Sequence, residues 1–152
     1  MTTDGRVRLE ILEEFLDGRR PSVSSLAESL NADAREVTAA FERLAAGRAI
    51  VLAQGTHDIL MAAPFSGVRT DHQVKTSTER YDANCIWDAL GIPAMLAAAG
   101  RAADATITSR CEDCGAPLTL EVRAGRVTVE PEGVVAHFAV PAASWWQDIV
   151  FT

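Results

Sequence analysis

The sequence of 152 residues lacks the features that would direct a protein to a membrane or out of the cell. Residues 1–6 run directly into charged, helix-forming sequence without an apolar signal segment. The longest nearly uncharged stretch, residues 89–100, is too short to span a bilayer. Internal repeats and low-complexity tracts are also absent. We therefore expect a cytoplasmic protein without a membrane partner.

Basic residues are in short supply. Lysine and arginine together number 14 against 21 acidic residues, which gives a formal net charge of −7. An acidic surface repels the phosphate backbone, so we expect no nucleic-acid partner. Apolar residues make up 48% of the chain, which is enough to bury a core and excludes a disordered protein.

Cysteine is scarce as well, with Cys85, Cys111 and Cys114 as the whole set. An odd number of cysteines in a chain without a secretion signal argues against a disulfide framework. In a reduced cytoplasm such thiols serve metal binding or catalysis more readily than structural cross-links. The three thiols are therefore the first candidates for a functional site.

Hydrophobic periodicity predicts three helices in the first third of the chain, at residues 6–17, 21–30 and 34–46. Two short strands follow at 49–52 and 59–61, and the turn between them would close a hairpin. Three helices and a hairpin form the outline of a winged helix.

The rest of the sequence predicts one long helix at residues 83–99, kinked at Pro93, and then mainly strands. We place these strands at 73–76, 105–110, 118–123, 127–130, 134–140 and 148–152, with a short helix at 141–147. The sequence thus predicts an α+β fold in which a central helix packs on a small, mainly antiparallel sheet. Its predicted parts are a winged-helix-like segment (1–63), a linker (64–80) and an α+β domain (81–152).

A thiol and a carboxylate stand three residues apart at the start of the long helix, in the segment Asn84-Cys85-Ile86-Trp87-Asp88. In a helix the two side chains lie on one face, about one turn apart. Asn84 is a candidate N-cap, which would place Cys85 in the first turn, where the helix dipole favours a thiolate. A thiolate beside a proton-carrying carboxylate suits chemistry at a soft metal. From the residues alone, a buried structural cysteine and an exposed aspartate remain the alternative.

The chain resembles the organomercurial (alkylmercury) lyase family. The resemblance is carried by Asn84-Cys85-Ile86-Trp87-Asp88-Ala89-Leu90-Gly91-Ile92-Pro93 and Cys111-Glu112-Asp113-Cys114-Gly115-Ala116-Pro117-Leu118, with weaker similarity at 134–141 and 145–151. It implies mercury resistance through protonolysis of carbon–mercury bonds. In that reaction Cys85 would be the mercury-binding thiolate and Asp88 the proton donor. Burial and thiolate charge are expected to raise the pKa of Asp88.

The same resemblance implies an organomercury substrate and no required cofactor. Low-molecular-weight thiols, or a mercury-accepting reductase, would carry the Hg(II) away. Members of the family continue beyond the position matched by Thr152, and their second essential cysteine follows just after it. Because this sequence has no cysteine there, we expect a divergent or truncated member whose capacity for turnover is open.

Cys111-Glu112-Asp113-Cys114-Gly115 forms a CxxC motif at a predicted turn between strands. One such pair is half of a zinc site. The pair could bind Hg, Cu or Zn, with Cys85 or a second chain supplying further sulfur. It could also form a reversible disulfide or only stabilise the turn. The sequence leaves these alternatives open.

Two other functions compete with the lyase interpretation. A non-catalytic carrier of soft metals would bind Hg(II), Cu(I) or Zn(II) through the three cysteines and release no hydrocarbon. A metal-sensing regulator would bind DNA through the third helix, but its arginines Arg35 and Arg43 are balanced by Glu36 and Glu42. In the lyase family, similar N-terminal helices serve as a structural cap.

The histidines and tryptophans give weaker signals. His57, His72 and His137 show no ligand spacing, and His137 is expected to be a hydrogen-bonded core residue in the strand at 134–140. The three tryptophans are expected to pack in the core, with Trp87 also able to shield the site from water. The sequence does not determine the oligomeric state.

Overall fold

The computed structural model describes residues 2–138, 140–147 and 149. The α-helices within these residues are α1 (Thr3–Leu16), α2 (Val23–Ser29), α3 (Ala34–Ala46) and α4 (Ile86–Ala98), and a 3₁₀ helix covers Ala142–Gln147. The strands are β1 (Val51–Leu52), β2 (Ile59–Ala62), β3 (Phe65–Ser66), β4 (Gln73–Lys75), β5 (Arg80–Asp82), β6 (Ala105–Arg110), β7 (Pro117–Arg123) and β8 (Arg126–Glu130). No helix in these ranges is long and apolar enough to cross a membrane.

The first three helices begin where a short polar side chain satisfies free backbone N–H groups. The hydroxyl of Thr2 accepts the Gly5 N–H at 3.2 Å, and the Asp33 carboxylate accepts the Arg35 N–H at 2.7 Å. Ser22 and Ser25 form a reciprocal capping box at the start of α2. Because each cap stabilises a helix start by about 1 kcal/mol, the local sequence largely determines these boundaries.

The strands form two antiparallel sheets. One has three strands in the order β1-β2-β3, and the other has five strands in the order β5-β4-β6-β7-β8. A bridge between Phe65 and Ala83 connects the two sheets. Alternate residues of β7 are buried, namely Leu118, Leu120 and Val122, as expected for a sheet with one face on the core.

One hydrophobic core joins the N-terminal helices to the five-stranded sheet. Phe65 lies at its centre, fully buried, and stacks on Phe15 of α1 with the ring centroids 5.2 Å apart. Tyr81 of β5 contacts the same ring at 5.8 Å, and its hydroxyl donates to the Leu16 carbonyl at 3.0 Å. The apolar face of α4 packs on this core through its buried residues, Ala89, Ile92, Pro93 and Leu96. This packing fixes the position of α4 on the core.

The structure confirms the α+β fold and most of the predicted elements. The three N-terminal helices, the β1–β2 hairpin, the strand near residue 73, the long helix and the strands at 105–130 all form, and the predicted last helix is 3₁₀. The short strands β3 and β5 were not predicted. The winged-helix likeness and the division into 1–63, 64–80 and 81–152 stay predictions.

The strand predicted at 134–140 is wrong for the described residues of that range. Residues 134–138 have no regular structure and lie exposed, with 80% of Val135 accessible. Apolar composition alone suggested a strand there, but the segment pairs with no edge of either sheet. His137 is accordingly exposed rather than part of the core. The strand predicted at 148–152 lies outside the described residues except for position 149.

Candidate functional site

Cys85 is the N-cap of α4. Its backbone is extended, with φ −151° and ψ 177°, and its Sγ accepts the backbone N–H of Asp88 at 3.4 Å. The predicted N-cap, Asn84, is thus wrong by one position. The side chain of Asn84 is engaged elsewhere, because its Nδ2 donates to the Asp88 carboxylate at 2.8 Å. The sulfur takes the capping role that the Asn84 oxygen was expected to have.

Asp88 lies one helical turn after Cys85 and is half-buried. Burial raises the pKa of its carboxyl group, while the hydrogen bond from Asn84 and the nearby charge of His72 partly offset that rise. The pKa of Asp88 is thus raised by burial, as predicted, but the charge of a Cys85 thiolate is not among the causes of the rise. Asp88 therefore holds a proton to higher pH than an exposed aspartate does.

The Cys85 thiol also keeps its proton more tightly than usual. Burial raises the pKa of Cys85, the negative charge of Asp88 adds to that rise, and the N–H groups of Asp88 and Trp87 lower it by less. The predicted stabilisation of a thiolate by the helix dipole is thus outweighed by burial. Burial thus shifts the pKa values of both members of the pair upwards.

His72 is a neighbour of this pair that the sequence pattern did not reveal. Its Nδ1 lies 2.9 Å from the Ser109 hydroxyl, and its Nε2 lies 3.7 Å from the carboxylate of Glu112. Burial lowers the pKa of His72, and the charges of Glu112, Asp71 and Asp88 oppose that effect. Gln73 of β4 pairs with Thr108 of β6, so the neighbouring residues His72 and Ser109 lie level with each other. This strand register is the signal that could have revealed the contact from the sequence.

Cys111 and Cys114 lie on the turn between β6 and β7, and both are free thiols. The turn is closed by two backbone hydrogen bonds of 2.8 Å, from the Cys111 N–H to the Ala116 carbonyl and from the Gly115 N–H to the Cys111 carbonyl. Cys111 is half-buried and Cys114 is exposed. Hydrogen bonding from the backbone N–H groups of Cys114 and Asp113 and from the Cys114 thiol lowers the pKa of Cys111.

The turn and Cys85 lie at the same end of the five-stranded sheet. The carbonyl of His72 accepts the Ala83 N–H at 2.9 Å, two residues before Cys85. On the other side of the same strand, the His72 ring meets Ser109, two residues before Cys111. In the described part of the chain, no three His, Cys, Asp or Glu side chains converge to hold a metal ion. Cys85 and the CxxC turn are therefore neighbouring but separate thiol sites.

Aromatic side chains lie beside the start of α4. Trp87 is 57% exposed, so its predicted place in the core is wrong, and its ring meets Phe138 edge-on at 6.0 Å. Phe138 in turn contacts Trp145 of the 3₁₀ helix at 5.5 Å. Trp146 lies under the guanidinium of Arg48 at 5.8 Å. These contacts bring the described C-terminal residues back towards the helix that carries Cys85 and Asp88.

Comparisons with known proteins show similarity at the level of the family and of the fold. The family model for alkylmercury lyase matches residues 65–152, which is more than half of the chain and includes all three cysteines. Among solved structures, the crystal structure of the mercury-bound form of MerB2 superposes with a TM-score of 0.67 at 23% sequence identity. The match covers 87% of this chain and 62% of that one. At this identity the likeness establishes the fold. No curated protein sequence matches the chain.

Proposed function

The chain belongs to the alkylmercury lyase family, and from this premise we propose that it binds organomercury compounds at Cys85 and cleaves their carbon–mercury bond by protonolysis. One observation carries the proposal. A thiol and a carboxyl group whose pKa values are both raised by burial stand one turn apart at the start of α4. The pair combines a soft ligand for mercury with a source of protons.

In the first step, the sulfur of Cys85 bonds to the mercury atom of R–Hg–X, where R is the organic group and X a halide or thiolate. The thiol must lose its proton when the sulfur–mercury bond forms. We assign the Asp88 carboxylate as the acceptor, because Asp88 lies one helical turn from Cys85 and its backbone N–H contacts the sulfur at 3.4 Å. Burial makes this carboxylate a stronger base than an exposed one, which favours the transfer.

In the second step, protonated Asp88 delivers its proton to the carbon atom bonded to mercury. The carbon–mercury bond breaks, the electron pair of that bond forms the new C–H bond, and RH leaves. The net reaction is R–Hg–X plus the Cys85 thiol giving RH and a Cys85–S–Hg–X adduct. Asn84 positions the Asp88 carboxylate through its 2.8 Å hydrogen bond. The half-buried site reduces competition from water for the reacting proton.

This reaction requires no organic cofactor. It does require a thiol acceptor that removes Hg(II) from Cys85, either a small thiol or a mercury-accepting reductase.

A non-catalytic thiol-based metal-binding protein is the alternative function. It is favoured by one observation, namely that within the described residues no third ligand joins Cys85 and Asp88 around a common point. Such a protein would retain mercury and release no hydrocarbon. Headspace analysis of hydrocarbon after mixing the protein with methylmercury and excess thiol distinguishes the two functions, with Cys85→Ser as the control.

A further inference from the structure

The CxxC turn is a thiol pair that the proposed reaction at Cys85 does not use. Cys111 and Cys114 lie three positions apart on one turn, and both are free thiols. A CxxC turn is the spacing with which proteins present two sulfur ligands to one metal ion.

The tight turn makes this arrangement rigid. The two 2.8 Å backbone hydrogen bonds across Cys111, Gly115 and Ala116 close it, and the pairing of Arg110 with Pro117 anchors it to the sheet. Cys114 is exposed, so a metal ion can reach the pair from solvent. A preformed pair of sulfurs loses little conformational entropy when it binds a metal.

The number of ligands selects the metal. Zinc in proteins takes four ligands, and no group of three or more candidate ligands occurs among the described residues. Hg(II), by contrast, is satisfied by two thiolates in a linear arrangement. The pair therefore has the right number and softness of donors for Hg(II) and too few for zinc.

We propose that Cys111 and Cys114 form a second, bis-thiolate site for Hg(II), which receives the metal released at Cys85. The second part of this proposal rests on the lyase function proposed above. The transfer is a ligand exchange: Cys85–S–Hg–X and the two thiols give the Cys85 thiol, a Cys111–S–Hg–S–Cys114 chelate, one proton and X⁻. The exchange restores Cys85 for another substrate molecule.

Binding at the pair is tested first, without the lyase reaction. Reduced full-length Cys85→Ser protein is mixed with HgCl₂, passed through a desalting column with excess monothiol, and analysed for mercury by mass spectrometry. We expect about one mercury per chain, with two sulfur neighbours by X-ray absorption. The matched variant, Cys85→Ser with Cys114→Ser, should retain at least tenfold less. Cys114 is exposed, so this substitution leaves folding intact, which circular dichroism checks.

Transfer is tested by stoichiometry. Without added thiol, wild-type protein should release about two equivalents of hydrocarbon from excess methylmercury, because transfer of Hg(II) to the pair frees Cys85 for one more reaction. Cys114→Ser lacks the pair and should release about one equivalent. Equal release by both proteins would overturn the transfer. Equal mercury retention by the two Cys85→Ser proteins, or only a Cys111–Cys114 disulfide in the retained fraction, would overturn the site itself. A complete lack of hydrocarbon would refute the lyase function and the transfer together, while the HgCl₂ experiment would still decide whether the site exists.

Discussion

The Nδ2 group of Asn84 donates a 2.8 Å hydrogen bond to the carboxylate of Asp88, four residues further along the chain. This bond lowers the pKa of Asp88 and opposes the effect of burial. The Oδ1 atom of Asn84 is buried and has no hydrogen-bond partner among the described residues. Burial of this unpaired oxygen costs free energy of folding. Such a cost is typical of a side chain that positions a functional group.

Replacement of Asn84 by alanine should raise the pKa of Asp88 further. The variant loses the donor that stabilises the ionised carboxylate and keeps the burial that destabilises it. The shift is measured by following the Asp88 carboxyl carbon during an NMR pH titration of the protein without mercury. Asn84→Asp, which adds a negative charge, should give a larger rise. An unchanged or lower pKa in Asn84→Ala would contradict the account.

Replacement of Asp88 by asparagine should separate binding from cleavage. The amide keeps the size of the side chain and can still accept from Asn84, but it cannot supply a proton. We expect retention of mercury by Cys85 to stay unchanged and the rate of hydrocarbon release to fall by about a hundred- to ten-thousand-fold. Single-turnover release, measured with stoichiometric methylmercury, checks this. A rate within about threefold of wild type would assign proton delivery to another group.

Asp88→Asn should also change how stability depends on pH. Because the pKa of Asp88 is raised by folding, its favourable contribution is complete below the ordinary carboxyl pKa of about 3.9 and is lost as pH rises through the folded-state pKa. Asparagine does not ionise, so the variant does not lose this stability as the pH rises. The melting temperature of the variant should therefore match wild type in acid and exceed it at neutral pH.

The control for this comparison is Glu132→Gln, which removes an exposed carboxylate in the turn after β8. It controls for the loss of one negative charge from the chain. A difference in melting temperature between Asp88→Asn and wild type that is the same in acid and at neutral pH would show that burial does not disfavour the ionised form of Asp88.

Replacement of Phe65 by alanine should destabilise the whole fold. Phe65 is fully buried, stacks on Phe15 and lies opposite Ala83, just before the site. Loss of such a ring typically costs about 3–5 kcal/mol of unfolding free energy, measured by urea denaturation. Phe65→Leu keeps most of the apolar volume and should cost clearly less. A loss below about 1 kcal/mol for Phe65→Ala would mean that the two sheets do not share this core.

The sequence predicted the helices and the longer strands because their signals are local. Serine, threonine and aspartate caps, together with apolar periodicity, mark the starts and faces of α1 to α3. Strands β3 and β5 have two and three residues, which is too few for an alternating pattern. Their positions depend on pairing with distant strands, so periodicity could not reveal them.

The site was predictable in its residues and less so in its electrostatics. The spacing of Cys85 and Asp88 placed them one turn apart, as the structure confirms. The raised pKa of Cys85 depends on packing around the helix start, and the position of His72 depends on strand register. Both are tertiary effects, which a local pattern does not contain. The roles of the two residues in cleavage stay predictions.

The central claim is that Cys85 binds the mercury of an organomercury compound while the carbon–mercury bond is cleaved. Its most direct test is gas chromatography of the headspace after purified protein is mixed with methylmercury and excess thiol, in parallel with Cys85→Ser. We expect methane from the wild-type protein and none above the protein-free background from the variant. Equal methane from both proteins would contradict the assignment of Cys85, and stoichiometric retention of mercury without methane would identify a metal-binding protein instead of a lyase.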